Sequence, residues 1–429
     1  MSELPKGWGS ATVKDLAGTA GIFVDGDWVE SKDQDPNGDI RLLQLADIGD
    51  GVFLDKSDRW INADAFTRLR CTELATGDVL IARMPDPLGR ACLMPPLEQR
   101  CVTVVDVAAL RVDSQVADNR WVMHTVNAPQ LRAEISAQAS GTTRKRISRG
   151  NLGGLQIPLP PEAEQKRIAD KLDTVLTRVD VVNTRLARVA PILKRFRQSV
   201  LVAATSGRLT EDWRLMNGVS DPQVLTLGQL IKVSSGDGLT AKEMKPEGGV
   251  PVYGGNGING HHNQSNVSEP TIVIGRVGFY CGSVHLAPSI AWITDNALRV
   301  KFDPTTLDRK YLYFALQGTD LRQNMSSTAQ PVISGQKIYP LSFNLPTLPE
   351  QTEIVRRVET LFSFADRLDA RVQTAQTAAD RLTPSLLAKA FRGELVPQDP
   401  NDEPASELLK RLAAAPATLT RKRRSKTTS

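Results

Sequence analysis

The chain has 429 residues, of which 41% are hydrophobic and 24% charged, and a formal net charge of +5. This length is sufficient for two or three domains with separate cores, and so mild a charge does not by itself establish a nucleic-acid partner. The first residues lack the apolar core of a secretory signal, no apolar run approaches the roughly 20 residues of a membrane helix, and the four cysteines form no Cys-x-x-Cys pair. We therefore expect a cytoplasmic protein with reduced thiols and no membrane contact.

Residues 1–158 form the first predicted globular segment, of the α+β class. Short β-type runs such as GDVLIAR, from Gly77 to Arg83, lie among turns rich in Gly, Pro and Asn. These features predict several short strands rather than a helical bundle.

A long helix is predicted in residues 159–215, the central spacer region. Prolines and glutamates precede an apolar series whose spacing alternates between 4 and 3, which is typical of a heptad seam. The seam positions include Ile168, Leu172, Val179, Leu186 and Leu193. Pro191 lies within the series, so we expect it to bend the helix or to break it into two segments.

Residues 216–344 form the second predicted α+β segment. The run PTIVIGR, from Pro270 to Arg276, resembles GDVLIAR, but otherwise the two segments diverge: one contains RMPDPLGRACLMP and the other VYGGNGINGHHNQSN. His261 and His262 are adjacent and point apart on a helix or a strand, so a shared metal is not expected.

Residues 345–398, the distal spacer region, repeat the first helix at an offset of 186 residues, the distance from Gln165 to Gln351. The second seam includes Ile354, Val358, Leu361, Leu368 and Leu382, and Pro384 is a second predicted bend or break. Two seams in one register can bury each other, and the return of the chain between them favours an antiparallel coiled coil with an internal pseudo-two-fold repeat. The alternative is two separate amphipathic helices, each packed on its own segment.

Residues 399–429 are predicted to be a basic, disordered tail, which ends in TRKRRSKTTS. Non-specific attraction to DNA is an alternative role for it.

The sequence contains no recognisable catalytic motif. It lacks both the Gly-x-x-x-x-Gly-Lys-[Ser/Thr] phosphate loop and the Asn-Pro-Pro-[Phe/Tyr] or Asp-Pro-Pro-[Phe/Tyr] motif of amino-methyltransferases. PDPLGRACLMPPLEQR faintly resembles a nuclease carboxylate cluster, but an arginine stands where a lysine is expected. The pattern favours a chain that binds but does not catalyse, with no metal or cofactor of its own.

Several motifs resemble the specificity (S) subunit of a type I restriction–modification system. They are PLPPEAEQKRIADKL, NLPTLPEQTEIVRRV and SLLAKAFRGEL, with GTTRKRIS and STAQPVIS ahead of the two helices. The resemblance extends from about Leu4 to Val396. The first copy departs from the pattern at its end, where ATSGRL stands for AFRGEL.

The resemblance implies two target-recognition domains, each reading one half of a split site in double-stranded DNA. The long helices would space these domains and dock two modification subunits, which bring S-adenosylmethionine and methylate adenine. Added restriction subunits would cut DNA with ATP and Mg²⁺, so all catalysis would lie outside this chain.

Side chains read base edges by presenting paired donors and acceptors, which Arg, Lys, Asn and Gln do best. Candidates in the first segment are Arg83, Arg90, Arg144, Lys145 and Arg146. Candidates in the second segment are Asn256, Asn259, His261, Asn263, Gln264, Arg276, Gln330 and Lys337. The basic members can equally hold phosphates without reading sequence, and any one of them can be an ordinary solvated loop residue.

Two other functions remain open. A coiled-coil scaffold would assemble partners without reading DNA sequence, and a self-sufficient methyltransferase or nuclease would need catalytic motifs that the sequence does not show.

Overall fold

The structure is a computed structural model that describes residues 4–141, 144–324 and 331–414. The chain forms two compact units. The first unit is Met1–Arg185 with Gln376–Ser429, and the second unit is Leu186–Ala375. Each unit therefore combines one globular segment with parts of both long helices, and the domain boundaries drawn from the sequence stay a prediction.

Before residue 376, the first unit consists of short strands and five α-helices. Its strands are β1 (Gly9–Thr12), β2 (Ile22–Asp25), β3 (Ile40–Leu43), β4 (Trp60–Ile61), β5 (Val79–Ala82), β6 (Ala91–Leu93), β7 (Arg100–Thr103), β8 (Val107–Arg111) and β9 (Gln156–Leu159). Its helices are α1 (Ala63–Leu69), α2 (Asn119–Val126), α3 (Pro129–Ala137), α4 (Arg149–Gly154) and α5 (Glu162–Ala187).

The strands of the first unit form three small sheets. Their strand orders are β1-β9, β2-β8-β5-β6 and β4-β3-β7, and only the β3–β7 pair is parallel among those described. All four residues of β5 are buried, because this strand lies between β8 and β6 and its apolar run is covered on both faces.

The second unit has the strands of the first in the same order. Its helices are α6 (Val189–Thr205), α7 (Glu211–Asn217), α8 (Leu227–Leu230), α9 (Arg309–Gly318) and α10 (Gly335–Ile338). Its strands are β10 (Gln223–Thr226), β11 (Ile231–Ser235), β12 (Val250–Gly254), β13 (Gly257–His262), β14 (Thr271–Gly275), β15 (Val284–Ala287), β16 (Trp292–Ile293), β17 (Ala297–Phe302) and β18 (Ser342–Leu345). The residues between β13 and β14, all of them described, form no helix, whereas the first unit has α1 between β4 and β5.

The two units share one sheet topology. The orders β10-β18, β11-β17-β14-β15 and β13-β12-β16 reproduce those of the first unit strand for strand, and the β12–β16 pair is parallel like its counterpart. The internal repeat therefore extends beyond the helices to the globular segments, whose sequences had suggested divergence. The main difference lies between the first two strands of the three-stranded sheet: β12 and β13 form a tight hairpin, whereas residues 44–59 separate β3 from β4.

The distal helix is α11 (Leu348–Phe391), and it is followed by α12 (Ala405–Ala414). In the first unit, Ile168 and Leu172 of α5 join one hydrophobic core with Leu387 and Ala390 of α11. Gln376 Nε2 donates to Asn183 Oδ1 at 3.3 Å, so α11 runs against the direction of α5 in this unit.

In the second unit, Val200 and Leu201 of α6 share a core with Ile354 and Val358 of α11. Arg197 also forms a salt bridge of 2.7 Å with Asp366. The predicted antiparallel pairing of the helices is thus present within each unit.

Most predicted seam residues are buried or half-buried, and the exception is Leu382. Its side chain is 47% exposed, whereas Leu387 is buried in the core of the first unit. The heptad assignment fails here because a straight helix turns every 3.6 residues, so a strict 3.5-residue seam drifts off the contact face. Leu186 and Leu368 are half-buried, and Val179 and Leu193 are buried.

The two prolines act differently. The first helix is interrupted at Arg188, between α5 and α6, three residues before Pro191, as the sequence predicted. Proline removes the N–H that would bond to the carbonyl of Ala187, four residues earlier. Pro384 lies inside α11, which continues without interruption to Phe391, so of the predicted bend or break the break does not occur, and the bend stays a prediction.

Part of the predicted disordered tail is ordered. Residues 405–414 form α12, in which Ala405 and Leu408 are buried in the core of the first unit, and Arg167 of α5 forms a salt bridge with Asp402. The helix is stabilised because its apolar residues pack against this core. The basic run at residues 421–426 lies outside the described residues.

Candidate functional site

The paired glutamines at the helix starts tie each long helix to the globular part of its own unit. Gln165 Oε1 accepts a hydrogen bond from the Asp118 N–H at 2.9 Å, and its Nε2 donates at 3.0 Å to the carbonyl of a proline five positions earlier. Gln351 makes the same two bonds, at 2.7 Å to the Asp308 N–H and at 2.9 Å to the proline carbonyl. Because Asp118 and Asp308 are the N-caps of α2 and α9, each glutamine joins two helix starts. The repeated Glu-Gln step is therefore part of the framework rather than a ligand site.

The preceding glutamates are buried in both units but have different partners. Glu350 accepts hydrogen bonds from Arg214 Nη1 at 2.6 Å and from Thr210 Oγ1 at 2.7 Å. Glu164 accepts only the indole N–H of Trp8, at 2.9 Å, among the described residues. Burial raises the pKa of Glu164 above the ordinary glutamate value. The first unit thus holds a buried carboxyl without a bonded cation where the second holds an ion pair.

Arg83, at the end of β5, is engaged inside the first unit. Its Nη1 forms an ion pair with Asp25 and donates to the Val105 carbonyl at 3.0 Å, while Nε donates to the Ile147 carbonyl at 3.1 Å. Burial is also the main cause that lowers the pKa of Arg83. With 5% of the residue exposed, the guanidinium is not available to a ligand, which argues against the predicted DNA contact.

Arg90 is equally committed to the interior of the first unit. Its guanidinium donates to three backbone carbonyls, those of Ile48, of Leu45 at 2.8 Å and of Pro87 at 2.9 Å. Only 7% of the residue is exposed. Arg90 therefore holds two loops together, and its prediction as a base reader is also disfavoured.

The remaining candidates of the first unit lie close together in sequence and reach the surface. Arg144 and Lys145 are exposed. Arg146 is half-buried, donates to the Val105 carbonyl at 2.8 Å and lies 3.6 Å from Asp106. Arg144 and Lys145 are thus the accessible cations of this group.

The hairpin of β12 and β13 brings together five candidates of the second unit. Asn256 lies in its turn, Asn259 and His261 lie on β13, and Asn263 and Gln264 follow the strand; all five are exposed. His262, by contrast, is buried edge-on against Trp292, with ring centroids 5.3 Å apart. The adjacent histidines therefore point apart, as the sequence predicted.

Arg276, at the end of β14, occupies the backbone position that Arg83 has in the first unit. The Arg83 N–H donates to the carbonyl of Asp106 at 2.9 Å, and the Arg276 N–H donates to that of Asn296, also at 2.9 Å. Strand pairing places Ser235 of the second unit where the first has Asp25.

This exchange changes the role of the arginine. Arg276 Nη1 lies 3.3 Å from Ser235 Oγ and 3.3 Å from the Asp295 carbonyl, and it forms no salt bridge with a described residue. Arg276 is half-buried rather than buried. Its charge is therefore not neutralised internally, unlike that of Arg83.

The last two candidates are Lys337 and Gln330. Lys337 is half-buried and its ammonium donates to the Val332 carbonyl at 2.8 Å. Gln330 lies outside the described residues.

Sequence reasoning missed two exposed aromatic residues that follow Arg276. Phe279 is 81% exposed and Tyr280 50% exposed, and their rings meet edge to face at 5.1 Å. The run RVGFYCG contained the signal, because two aromatic residues next to glycines in a loop have no core to fill.

The comparisons with known proteins identify the family. The family model described as "Type I restriction modification DNA specificity domain" matches residues 5–190 and 220–374. The chain belongs to this family. The two matches agree with the two repeats of the fold.

Relatives in this specificity-domain family cover much of the chain. The specificity subunit of the type I restriction enzyme StySPI, from Salmonella potsdam, is 35% identical over 320 residues, which is 68% of each chain. That of EcoBI, from Escherichia coli, is 32% identical over 335 residues, 68% of this chain and 69% of the relative.

Solved structures share the fold of this specificity-domain protein. A chain from a study of complex assembly and conformational transition of the type I R-M system matches with a TM-score of 0.73 at 19% identity, over 92% of this chain and 100% of that one. The HsdS subunit from Thermoanaerobacter tengcongensis matches with a TM-score of 0.60 at 19% identity, over 92% and 98%. Within the described part of the chain, no helix combines the length and apolar character needed to cross a bilayer.

Proposed function

We propose that the chain is the DNA-reading subunit of a type I restriction–modification complex and that each unit reads one block of a bipartite site in double-stranded DNA. The family description, which names DNA specificity, supports this proposal. The observation that carries it is a single sheet topology, present twice, with different side chains exposed at corresponding positions. A shared framework with unlike exposed side chains suits two readers of different sequences.

In the second unit, the hairpin from Asn256 to Gln264 supplies the donors and acceptors for base edges, and Arg276 supplies a cation beside it. In the first unit, Arg144 and Lys145 are the exposed cations among the candidates, and we assign them to phosphate contacts.

The chain itself performs no catalysis in this proposal. Two modification subunits bring S-adenosylmethionine and methylate adenine, and restriction subunits use ATP and Mg²⁺ to cut DNA, all in the cytoplasm. The long helices dock these partners through the faces that they leave exposed, which carry Arg178, Asp180 and Arg185 on α5 and Arg371 on α11.

An exchange of globular segments tests the proposal. Residues 216–344 are replaced by those of a relative with a different target, and the chain is expressed with its modification partner in cells whose methylated sites are then mapped. We expect one block of the recognised site to change and the other to be retained. Change in both blocks, or in neither, would contradict separate readers.

The alternative, an assembly scaffold without readout, makes a different prediction. The assembled complex would then bind a pool of mixed DNA sequences without enriching any of them. Enrichment of a bipartite sequence by the wild-type complex rules this alternative out.

A further inference from the structure

Corresponding loops follow the buried central strand in the two units and are anchored alike. The loop from Arg83 to Gly89 closes where the Gly89 N–H donates to the Ala82 carbonyl at 2.8 Å. The loop from Arg276 to Gly282 closes with the same bond, from the Gly282 N–H to the Gly275 carbonyl at 2.8 Å. Both closing glycines have positive φ, 78° and 86°, so the two backbones leave and rejoin their sheets in the same way.

The first loop is fastened to its own unit. Arg90 donates to the Pro87 carbonyl at 2.9 Å, and Arg132 donates to the Leu88 carbonyl at 2.9 Å. The Leu88 side chain packs against the core of the first unit. This loop therefore presents no large apolar side chain to solvent.

The second loop turns its aromatic residues outward. Phe279, at the position of Asp86 in the first loop, is the most exposed large apolar side chain of the described residues, and Tyr280 stands beside it. Exposed pairs of aromatic side chains are a recurrent feature of binding surfaces.

Arg322 binds the backbone of the loop, which is flanked by positive charge. Arg322 Nε donates to the Cys281 carbonyl at 2.7 Å, and its Nη2 donates to the Phe279 carbonyl at 3.1 Å. Neither Arg322 nor Arg276 forms a salt bridge with a described residue. Two unneutralised guanidinium groups beside exposed rings complement a polyanion that offers flat apolar faces.

The loop also adjoins the hairpin assigned to base reading. Ser283 Oγ, just past the loop, donates to the carbonyl of Gly255 in the hairpin turn at 3.0 Å, and Asn256 is the next residue of that turn. The aromatic pair and the polar candidates therefore lie at the same edge of the second unit.

We infer that Phe279, supported by Tyr280, is a wedge that enters the DNA duplex at the half-site of the second unit and unstacks one base step, with Arg276 and Arg322 on the flanking phosphates. This inference rests on the proposed function. Apolar wedges of this kind separate stacked base pairs, and the cost of unstacking is offset by ring–base contact and by closer approach to the backbone. The first unit has Pro-Asp-Pro-Leu in the corresponding place and carries no wedge, so the distortion is confined to one half of the site.

The test uses the assembled complex of this chain with its modification subunits and duplexes that carry 2-aminopurine at successive steps of one half-site. The half-site of the second unit is the one that changes in the segment exchange. The labelled positions exclude the adenine targets of methylation. We expect wild-type protein to raise the fluorescence at one step of that half-site and at no step of the first half-site. Phe279→Ala should abolish the rise and weaken binding to intact duplex about tenfold. Phe279→Leu should retain part of both effects, because a leucine still inserts but stacks less.

A duplex that is already unstacked at one step distinguishes the loss of a wedge from a general loss of contact. When an abasic residue is placed at the same step, unstacking costs little, so Phe279→Ala should bind it nearly as well as wild type does. Ile290→Ala is the matched control. Ile290 is an exposed apolar residue of the same unit, but it follows β15, whereas the loop precedes this strand. It should change neither the fluorescence nor the affinity.

Specific binding by wild type without a fluorescence rise overturns the wedge and leaves the proposed function intact. A Phe279→Ala variant that assembles poorly with modification subunits but binds DNA normally also overturns it, and assigns the loop to a protein partner. Absence of any sequence preference in the wild-type complex overturns the proposed function itself.

Discussion

In the first unit, the arginine after the central strand faces an aspartate, and in the second the arginine at the same backbone position faces a serine. Arg83 is consequently buried in an ion pair with Asp25, whereas Arg276 keeps its charge beside Ser235. The similar runs GDVLIAR and PTIVIGR thus form corresponding strands, but the arginine that follows each strand has a different role. The side chain at the end of β2 or β11, which lies beyond β8 or β17 in the sheet, decides whether the cation stabilises the unit or is available to a ligand.

The largest expected effect concerns the buried glutamates. Arg214→Met leaves Glu350 buried without its cation and should lower the free energy of unfolding of the second unit by about 3 kcal/mol, because an unpaired buried charge is costly. Urea unfolding measures this loss. Arg197→Met, which removes a more exposed salt bridge of the same unit, is the control and should cost less than about 1 kcal/mol. Equal losses from the two variants would show that the buried Arg214–Glu350 pair stabilises this unit no more than the exposed Arg197–Asp366 pair does.

The next largest effect is expected when Arg83 loses the carboxylate with which it pairs. Asp25→Ser gives the first unit the residue that the second has at this position. Because Arg83 is buried, we expect a loss of about 2 kcal/mol in unfolding free energy. The same urea assay measures it, and Asp106→Ser, beside the more exposed Arg146, serves as the comparison. An unchanged stability would mean that Arg83 does not depend on its carboxylate.

The reciprocal change, Ser235→Asp, neutralises Arg276. We expect it to weaken binding of the complex to its specific DNA site by about tenfold, since one cation is withdrawn from the phosphates or base edges. The dependence of log K on log salt should become shallower by about one, with no loss of folding stability. Binding titrations at several salt concentrations provide both values, and an undiminished salt dependence would exclude Arg276 from the interface.

The smallest effect is a pH dependence carried by Glu164. Because its pKa is raised on folding, the unfolded state releases its proton first as pH rises above about 4.5, the ordinary value, and stability falls until the raised pKa is passed. Glu164→Gln should remove this slope from unfolding measured between pH 4 and pH 8. Glu162→Gln, at an exposed salt bridge of the same helix, should retain it. A slope that persists in Glu164→Gln belongs to another group.

The sequence by itself determined the framework: two α+β segments, two long helices and the repeat that relates them. Heptad spacing, turn residues and the offset between Gln165 and Gln351 are local or periodic signals, and such signals survive without knowledge of distant contacts. The assignment failed at Leu382, where helix drift moved the buried stripe, and at residues 405–414, whose burial depends on a core formed by the rest of the first unit.

Only the tertiary structure decided which candidate side chains are available to a ligand. Arg83, Arg90 and Arg276 carry the same group, and Arg83 and Arg276 also lie in similar runs. Their exposure depends on partners far away in sequence: Asp25 for the first, the carbonyls of Leu45 and Ile48 for the second, and Ser235 for the third. A guanidinium is buried where a carboxylate or several carbonyls surround it and stays partly exposed where fewer acceptors do, and only the fold brings those acceptors together.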